Sequence, residues 1–472
     1  MLGSSSCSQH HQQQNQELHS QSDLFQPPPP PPAVTGQLSL PLPLQLPLQL
    51  HHHQIPPSIH LRQLLLTCAH SISQTDFTTA HRITTILLAN SSPSGDSSER
   101  LIHSFTKALT LRLRLHPTPP LSINNNESWK QPLTEMQDKD TYVRPNMAQY
   151  PLDQAEASCT GFACQNNDEI LQSSYFSLNQ ITPFIRFSHL TANQAILEAI
   201  QQQQFSQDIH ILDFDIMHGF QWPPLMQAIA DRHPPLTLRI TATGTNLSHL
   251  RRTGDRLSKF AHSLNLTFQF FPLLLPHNHH HHHTVDDVIR HLSAVVHLPN
   301  ETLAVNCIHY LHRMLTNRDK LCLLLKKIKS MNPKVVTLAE NESNHNHPVF
   351  ISRFKESLHY YTAVFDSLEA TLPPNSRERM EVEQVWFGRE ISDIVAAEGE
   401  DRRVRHERFL SWEMIMRLAG FRNVGLSSFN VTQAKLLLRL HYPCEGYNLE
   451  VVNDCFFLGW QNQPLFSVSS WH

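Results

Sequence analysis

The sequence predicts an α/β protein built around a mainly parallel, Rossmann-like sheet. The first observation is the apolar run 209–212, which is short enough to be a strand buried on both faces. The second is the adjoining stretch, in which a turn containing Gly219 leads to a helix that begins at Trp222 with two prolines in its first turn. The third is the alternation of strand and helix patterns up to residue 340, which indicates a doubly wound sheet.

The later elements extend this sheet. The alternation predicts strands at 236–242, 266–270, 303–308 and 334–340, with helices at 253–264, 285–296 and 319–328. Further helices are expected at 350–365, at 377–398 with a break near residue 387, and at 402–418. Residues 447–452, 455–460 and 465–471 alternate like antiparallel strands. An antiparallel closing hairpin on a parallel sheet predicts the methyltransferase type of this fold.

The N-terminal part divides into a tail, a helical segment and an insertion. Residues 1–57 are rich in proline, glutamine and histidine, which predicts a disordered tail. Residues 58–115 have three helical apolar faces, with Asp76 capping the second helix and Asp96 or Ser97 capping the third, and predict an α-helical cap. Residues 116–168 predict a disordered insertion. The His-rich run 276–283 is interpreted as a loop insertion, with metal binding as its alternative.

Composition excludes several classes of protein. The chain has 472 residues, a net charge of −4 and 17% charged residues, so no overall basic field attracts it to nucleic acid or membrane. Its 8 cysteines form no paired CxxC knuckles, which argues against a zinc finger. No secretory signal and no apolar run of membrane-spanning length is present, so the interior of the cell is the expected location.

The turn after the first strand carries the evidence on cofactor chemistry. Methyltransferases commonly place an acid and three alternating glycines here, but the glycine positions after Asp213 hold Asp215, Met217 and Gly219. The next strand also lacks the acid that binds ribose hydroxyls. We therefore expect no catalytic residues, no cofactor site, no metal site and no enzyme activity. A methyltransferase, or a small-molecule binder that keeps the crevice, is the alternative.

The same stretch resembles the VHIID motif of the plant GRAS family of transcriptional regulators. The resemblance rests on Ile209, His210, Ile211, Leu212, Asp213, Gly219, Gln221 and Trp222, with His218 standing where the family usually has Gln. Pro348, Tyr360-Tyr361 and Arg389-Glu390 resemble the PFYRE region, and residues 456–460 and 467–471 resemble the SAW region. Residues 365–379 and 440–443 are similar to the Lateral suppressor branch, also called scarecrow-like.

This resemblance implies a GRAS-like domain over residues 58–472. Its regions would be the first leucine-rich helices at 58–115, the insertion at 116–168, a VHIID-like region at 169–245, a second leucine-rich region at 250–330, a PFYRE-like region at 335–420 and a SAW-like region at 421–472.

The resemblance also implies a function. The protein would be a nuclear transcriptional regulator that acts through other transcription factors, as a homo- or heterodimer, with a role in side-shoot (axillary) meristem initiation. Candidate partner contacts are the LxxLL residues Leu61, Leu64 and Leu65, although leucines at this spacing more often form core.

Direct DNA contact is a second hypothesis, since the sequence has no standard DNA-binding motif. Its candidate residues are Arg251, Arg252, Arg256, Arg402, Arg403 and Arg405. For the second of these clusters we favour a solvated helix face with internal ion pairs. For Asp213, Gln221 and Trp222 we favour a structural role over a pocket or partner contact, with Asp213 accepting backbone N–H bonds of the turn.

Overall fold

A computed structural model of the chain describes residues 57–115, 163–201, 208–231, 236–275, 284–296, 298 and 301–472. The predicted disorder of residues 1–56 and 116–162 and the predicted loop insertion at 276–283 lie outside the described residues. Within the described ranges, no helix is long and apolar enough to cross a membrane.

Nine strands of the described residues form one sheet. In chain order they are β1 (Asp208–Asp213), β2 (Thr237–Gly244), β3 (Thr267–Leu274), β4 (Glu301–Ile308), β5 (Val335–Asn341), β6 (Asn423–Val424), β7 (Tyr447–Val452), β8 (Cys455–Trp460) and β9 (Gln463–Trp471). The order across the sheet is β3-β2-β1-β4-β5-β9-β8-β7, and β6 pairs with β9. Strands β1 to β5 pair in parallel, whereas β7 to β9 are antiparallel. The predicted fold class is thereby confirmed.

Strand β1 lies at the centre of the parallel part. It pairs with β2 on one side and β4 on the other, so that Ile211 lies opposite both Ile240 and Ala304. Residues 209–213 are all buried, as expected for a parallel strand covered by helices on both faces. Its carboxyl end therefore delivers Asp213 into the interior, beside the ends of β2 and β4.

Fourteen helices of the described residues surround the sheet. They are α1 (Pro57–Ser73), α2 (Phe77–Ala89), α3 (Ser97–Leu115), α4 (Ala163–Ile181), α5 (Pro183–Gln201), α6 (Trp222–Ala230), α7 (Leu247–Ser263), α8 (Val285–Leu292), α9 (Arg318–Ser330), α10 (Phe350–Thr371), α11 (Arg377–Glu381), α12 (Gly388–Ala396), α13 (Phe409–Leu418) and α14 (Ser428–His441). A 3₁₀ turn covers Leu311–Met314, and a π-helical turn covers Val382–Phe387.

The apolar residues form three cores. One joins α1 to α5 with α10, α12, α14 and strands β8 and β9; a second joins α8, α9 and α13 to β4 and β5; a third joins α6 and α7 to β1 and β2. We call α1 to α4 with α10 to α12 the cap. These helices pack on one another, and the first core continues from them into the sheet.

A buried ion pair fixes the N-terminal helices within the cap. Arg100 on α3 donates from Nε to Oε2 of Glu383 in the π-helical turn at 2.7 Å, and from Nη2 it lies 2.8 Å from Glu369 on α10. Arg100 and Glu383 are almost fully buried. Tyr361 likewise donates to Glu390 at 2.8 Å and joins α10 to α12. The cap is thus tied together by polar contacts between distant parts of the sequence.

Several predicted boundaries were wrong. Helix α4 begins at Ala163, inside the predicted insertion, and α8 ends at Leu292 rather than near residue 296. Helix α7 begins at Leu247 rather than Thr253, because the Asn246 side chain caps it by accepting from the N–H of His249. The predicted caps of the N-terminal helices are present, since Asp76 accepts from Thr79 N–H and Asp96 from Glu99 N–H.

Candidate functional site at the carboxyl edge of the sheet

The turn after β1 keeps the backbone shape of a glycine-rich loop. Asp215, Met217 and Gly219 all have positive φ, at 68°, 48° and 67°. Only glycine adopts this region without a steric cost, which is about 1 kcal/mol or more for other residues. The positions at which a methyltransferase loop has glycine are therefore left-handed in this protein too, but two of them carry side chains.

Local contacts hold the first of these side chains in place. The carboxylate of Asp215 lies 2.6 Å from Nη1 of Arg313, which comes from the 3₁₀ turn after β4. The main-chain N–H of Asp215 donates to Oγ1 of Thr243 at the end of β2, at 3.0 Å. The charge that would oppose an anionic ligand is thus already neutralised by a cation of the protein itself.

Asp213 binds side chains rather than the turn. Its Oδ2 accepts from Trp222 Nε1 at 2.9 Å, and its Oδ1 accepts from Asn306 Nδ2 on β4 at 2.9 Å. The prediction that it accepts backbone N–H bonds of the turn is wrong, because the buried carboxylate faces α6 and β4 instead. Burial raises the pKa of Asp213 to about 7, against the opposing hydrogen bonds from Asn306 and Trp222.

Gln221 extends this network. Its Nε2 donates to Oδ1 of Asn306 at 2.9 Å and to Oδ1 of Asn193 on α5 at 3.2 Å. Asn193 returns a bond to the carbonyl of Gln221 at 2.7 Å, and Thr337 on β5 donates to Asn306 at 2.9 Å. These side chains are all buried. Sequence analysis selected Gln221 but did not find its amide partners Asn193 and Asn306, or the Thr337 hydroxyl that binds Asn306, because all three lie elsewhere in the chain.

The mouth of the crevice is covered by aromatic rings. Tyr175 of α4 stacks on His218 with ring centroids 5.8 Å apart and an interplanar angle of 5°, and it also packs 5.3 Å from Trp386. His218 stacks in turn on Phe220 at 5.0 Å. Burial, with the nearby His249 and Arg256, lowers the pKa of His218 to about 4. The cap thus places its own rings over the turn at which a cofactor would enter.

The end of β2 offers no replacement for a ribose-binding acid. The strand ends at Gly244, and the Asn246 that comes after it is engaged as the cap of α7. The carbonyl of Gly244 accepts from the N–H of Leu275 at 2.8 Å. Among the described residues, neither of the two features expected of a nucleoside-binding crevice is therefore found at this edge.

The histidine of the central motif has a structural position. His210 Nε2 lies 2.8 Å from Oγ1 of Thr241, and its Nδ1 lies 3.0 Å from Nη2 of Arg239. Arg239 also pairs with Glu301, so an ion pair and the imidazole lie together across β2, β1 and β4. Ile209, Ile211 and Leu212 are buried, the first two in the third core and Leu212 in the second. This part of the motif stabilises the sheet.

The predicted partner and nucleic-acid contacts fall in different environments. Leu61 and Leu65 are buried in the first core and Leu64 is half-buried against it, so these leucines form core. Arg251 and Arg252 are exposed on α7, and Arg256 donates to the carbonyl of His218 at 2.8 Å.

The structure corrects two expectations about the second arginine cluster, namely that it forms a helix and that it lies on a solvated face. Residues 402–408 have no regular secondary structure rather than forming a helix, and Arg402 and Arg405 are buried, while Arg403 is half-buried. Arg402 donates to the carbonyl of His345 at 2.6 Å, and Arg405 donates to Asn346 at 3.0 Å. Because these guanidinium groups bond the loop after β5, they are not presented to phosphates in this structure.

The comparisons with known proteins agree with this architecture. The model of the GRAS domain family matches residues 61–472. This chain is a member of the GRAS domain family. The resemblance seen in the sequence is confirmed, and GRAS proteins are plant transcriptional regulators.

Three relatives show how the similarity is distributed. Scarecrow-like protein 18 of Arabidopsis thaliana is 48% identical over 418 residues, which are 87% of this chain and 91% of that protein. Protein MONOCULM 1 of Oryza sativa subsp. japonica is 39% identical over 431 residues, covering 87% and 88%. DELLA protein RGL1 of Arabidopsis thaliana is 37% identical over 310 residues, covering 64% of this chain and 58% of that protein. The crystal structure of SCL7 in Oryza sativa has a TM-score of 0.66 and 32% identity, over 87% of this chain and 99% of that one.

Proposed function

We propose that this GRAS protein is a nuclear transcriptional regulator that acts through protein partners and transfers no methyl group. Membership of a family of regulators supports the first part of the proposal. The closed crevice supports the second. In this proposal the sheet and cap form a rigid base that presents partner surfaces.

The ion pair of Asp215 with Arg313, at 2.6 Å, together with the Tyr175 ring stacked on His218, is the observation that carries the second part. The carboxylate of S-adenosylmethionine would meet a side chain where close backbone approach is needed, and Arg313 is already neutralised. Calorimetric titration with S-adenosylmethionine up to millimolar concentration should give no binding heat. A micromolar dissociation constant would restore the methyltransferase hypothesis.

A surface suited to a partner lies on α13. Leu410, Met414 and Leu418 are 68%, 49% and 66% exposed, and their spacing of four residues places them on one face. The opposite face packs Trp412 and Ile415 into the second core. An apolar ridge of this kind fits the apolar face of an amphipathic helix, which we propose as the recognition element of a partner transcription factor.

This surface can be tested without relying on DNA binding by the chain itself. The full chain is fused to a heterologous DNA-binding domain and directed to a reporter promoter in plant cells. Leu410→Ser, Met414→Ser and Leu418→Ser together should abolish the change in reporter output, whereas Leu440→Ser, at an equally exposed leucine of α14, should not. Full regulation by the triple variant would exclude α13. Analytical sedimentation of the purified chain then shows whether the partner bound at α13 is a second copy of this chain or a different protein.

Direct DNA contact is a second candidate function, and we propose the exposed face of α7 as its contact surface. Arg251 and Arg252 are exposed there, whereas Arg402 and Arg405 are buried. Replacing Arg251 and Arg252 with alanine should lower the salt dependence of any DNA affinity measured by fluorescence anisotropy. Replacing Arg403 serves as the comparison and should have a smaller effect.

We infer a developmental role in side-shoot meristem initiation. Support comes from the similarity of residues 365–379 and 440–443 to the Lateral suppressor branch, and from the 39% identity with MONOCULM 1. Disruption of the gene in the plant that encodes this chain should reduce the number of side shoots. An unchanged number, in a line shown to lack the protein, would contradict the inferred role.

A further inference from the structure

A cluster of metal-ligating side chains lies beneath the cap, apart from the β1 turn. His312 comes from the 3₁₀ turn after β4, Glu340 from the end of β5, and His406 from the irregular segment before α13. One donor atom from each residue can be chosen so that all three lie within 4.8 Å of one another. All three side chains are buried. Three separate elements therefore converge on one point.

The residue types match a particular class of ion. Two imidazoles and one carboxylate are a ligand set of open zinc sites, in which a fourth position is left for another ligand. Calcium and magnesium prefer sites made of oxygen alone. A neutral imidazole and an ionised carboxylate are the forms of these side chains that bind such an ion.

The surrounding contacts orient the ligands. His406 Nδ1 lies 2.9 Å from His345 Nδ1, and His345 Nε2 lies 2.8 Å from Oγ of Ser343. This chain of contacts orients the His406 ring through its Nδ1 atom. Ligand histidines are commonly oriented by a hydrogen bond to a carboxylate, a carbonyl or water, and here an imidazole takes that place.

The donor atoms of His312 and Glu340 are already close to the separation of two ligand atoms on a zinc ion. His312 Nδ1 lies 2.7 Å from Oε2 of Glu340, and the main-chain N–H of His312 donates to Oε1 at 3.1 Å. Tetrahedral zinc bonds of about 2.0–2.1 Å separate two ligand atoms by roughly 3.3 Å. Opening the pair by about half an ångström would let the ion replace the proton that the two atoms share. The ring centroids of His312 and His406 are 4.3 Å apart, so the third ligand is near.

We propose that His312, Glu340 and His406 bind one zinc ion, which ties the segment between α12 and α13 to the carboxyl ends of β4 and β5. Arg313 follows His312 directly, and Arg402 binds the carbonyl of His345, the residue in contact with His406. Both guanidinium groups repel a cation, so the affinity is expected to be lower than that of a closed four-ligand site. The proposal is independent of the regulatory function proposed above.

The test must first remove adventitious binding by the histidine runs of the sequence. In a background chain, residues 51–53 and 279–283 are replaced by serine, since these consecutive histidines could bind zinc on their own. The full background chain is stripped with a chelator and titrated with zinc against a chromophoric competitor. One equivalent should bind and raise the melting temperature. No stoichiometric binding would overturn the proposal.

Substitutions then assign the ligands. His406→Gln and Glu340→Gln should each weaken zinc binding at least tenfold, while His218→Gln, at a histidine outside the cluster, should not. Unchanged affinity in both ligand variants would overturn the proposal. If a ligand variant does not fold, X-ray absorption at the zinc edge of the loaded background chain decides. Two imidazole ligands at low coordination number support the site, and a six-coordinate oxygen shell contradicts it.

Discussion

At the scale of single residues, the turn after β1 depends on the carboxylate of Asp213, both oxygens of which accept hydrogen bonds. Asp213→Asn keeps the size but replaces one acceptor with a donor, so either Trp222 Nε1 or Asn306 Nδ2 is left facing another donor. Leaving a buried donor without an acceptor costs about 1–3 kcal/mol of unfolding free energy. Urea denaturation should show this loss. Asp231→Asn, at the exposed end of α6, should change stability by less than about 0.5 kcal/mol.

The stacked His218 predicts a pH dependence. Its pKa is about 4 in the folded chain, below the value of about 6.5 in an unfolded one. The unfolded state therefore binds more protons between these values, and stability falls as the pH is lowered from about 6.5 to 4. Between pH 7 and 5 the native chain should lose about 1 kcal/mol more than the His218→Gln variant in urea denaturation, since solvent partly screens this half-buried ring. Parallel curves for the two proteins would contradict a His218 imidazole that is neutral in the folded chain.

Among the elements, the attachment of α3 to the π-helical turn gives the next prediction. Glu383→Gln leaves the buried Arg100 with Glu369, whose side chain is 40% exposed, as its remaining ion-pair partner among the described residues. Breaking a buried pair in this way should cost about 3 kcal/mol. Glu413→Gln removes the matched surface pair with Arg417 on α13 and should cost less than about 1 kcal/mol. Thermal denaturation of both variants provides the comparison, and equal losses would show that burial of the pair contributes nothing.

Elements with strong periodicity could be predicted, and those defined by distant contacts could not. Three of the four residues 209–212 are apolar, with His210 among them, so a buried strand can be inferred from the residues alone. The sequence of residues 402–408 resembles a charged helix, yet Arg402 and Arg405 donate to acceptors on the loop after β5, and the segment is not helical. Such a preference is decided by tertiary contacts, which override local propensity.

The candidate site shows the same division. Asp213, Gln221 and Trp222 could be selected because they surround one turn of recognisable spacing. Asn306 could not, since it is 93 residues from Asp213 and one amide among many polar residues. The role of Tyr175 was also hidden, because stacking on His218 depends on how α4 lies over the turn. Asp213 and Asn306 lie opposite each other at the carboxyl ends of the paired strands β1 and β4. Aligning the ends of these two predicted strands would therefore have suggested Asn306 as a neighbour of Asp213.

At the scale of the whole molecule, β9 is the strand on which the two halves of the sheet depend. It lies between β5 and β8, and it buries Trp471 completely. Deleting residues 463–472 should leave β5 without its partner and expose the first and second cores, so the chain should lose its cooperative melt and bind a hydrophobic dye. His472→Ala is the control, because this side chain is exposed. A cooperative melt in the deletion variant would contradict the central position of β9.

The contact of Arg100 with Glu383 has a consequence for synthesis of the chain on the ribosome. The two residues are 283 positions apart. At 5–20 residues per second, roughly 15 to 60 s pass between the emergence of one and the other. During this interval α1 to α3 are outside the exit tunnel without the helices that cover Leu65 and Leu109 in the finished protein. Nascent chains should therefore engage chaperones at this stage, and early termination should yield fragments that are degraded rather than folded.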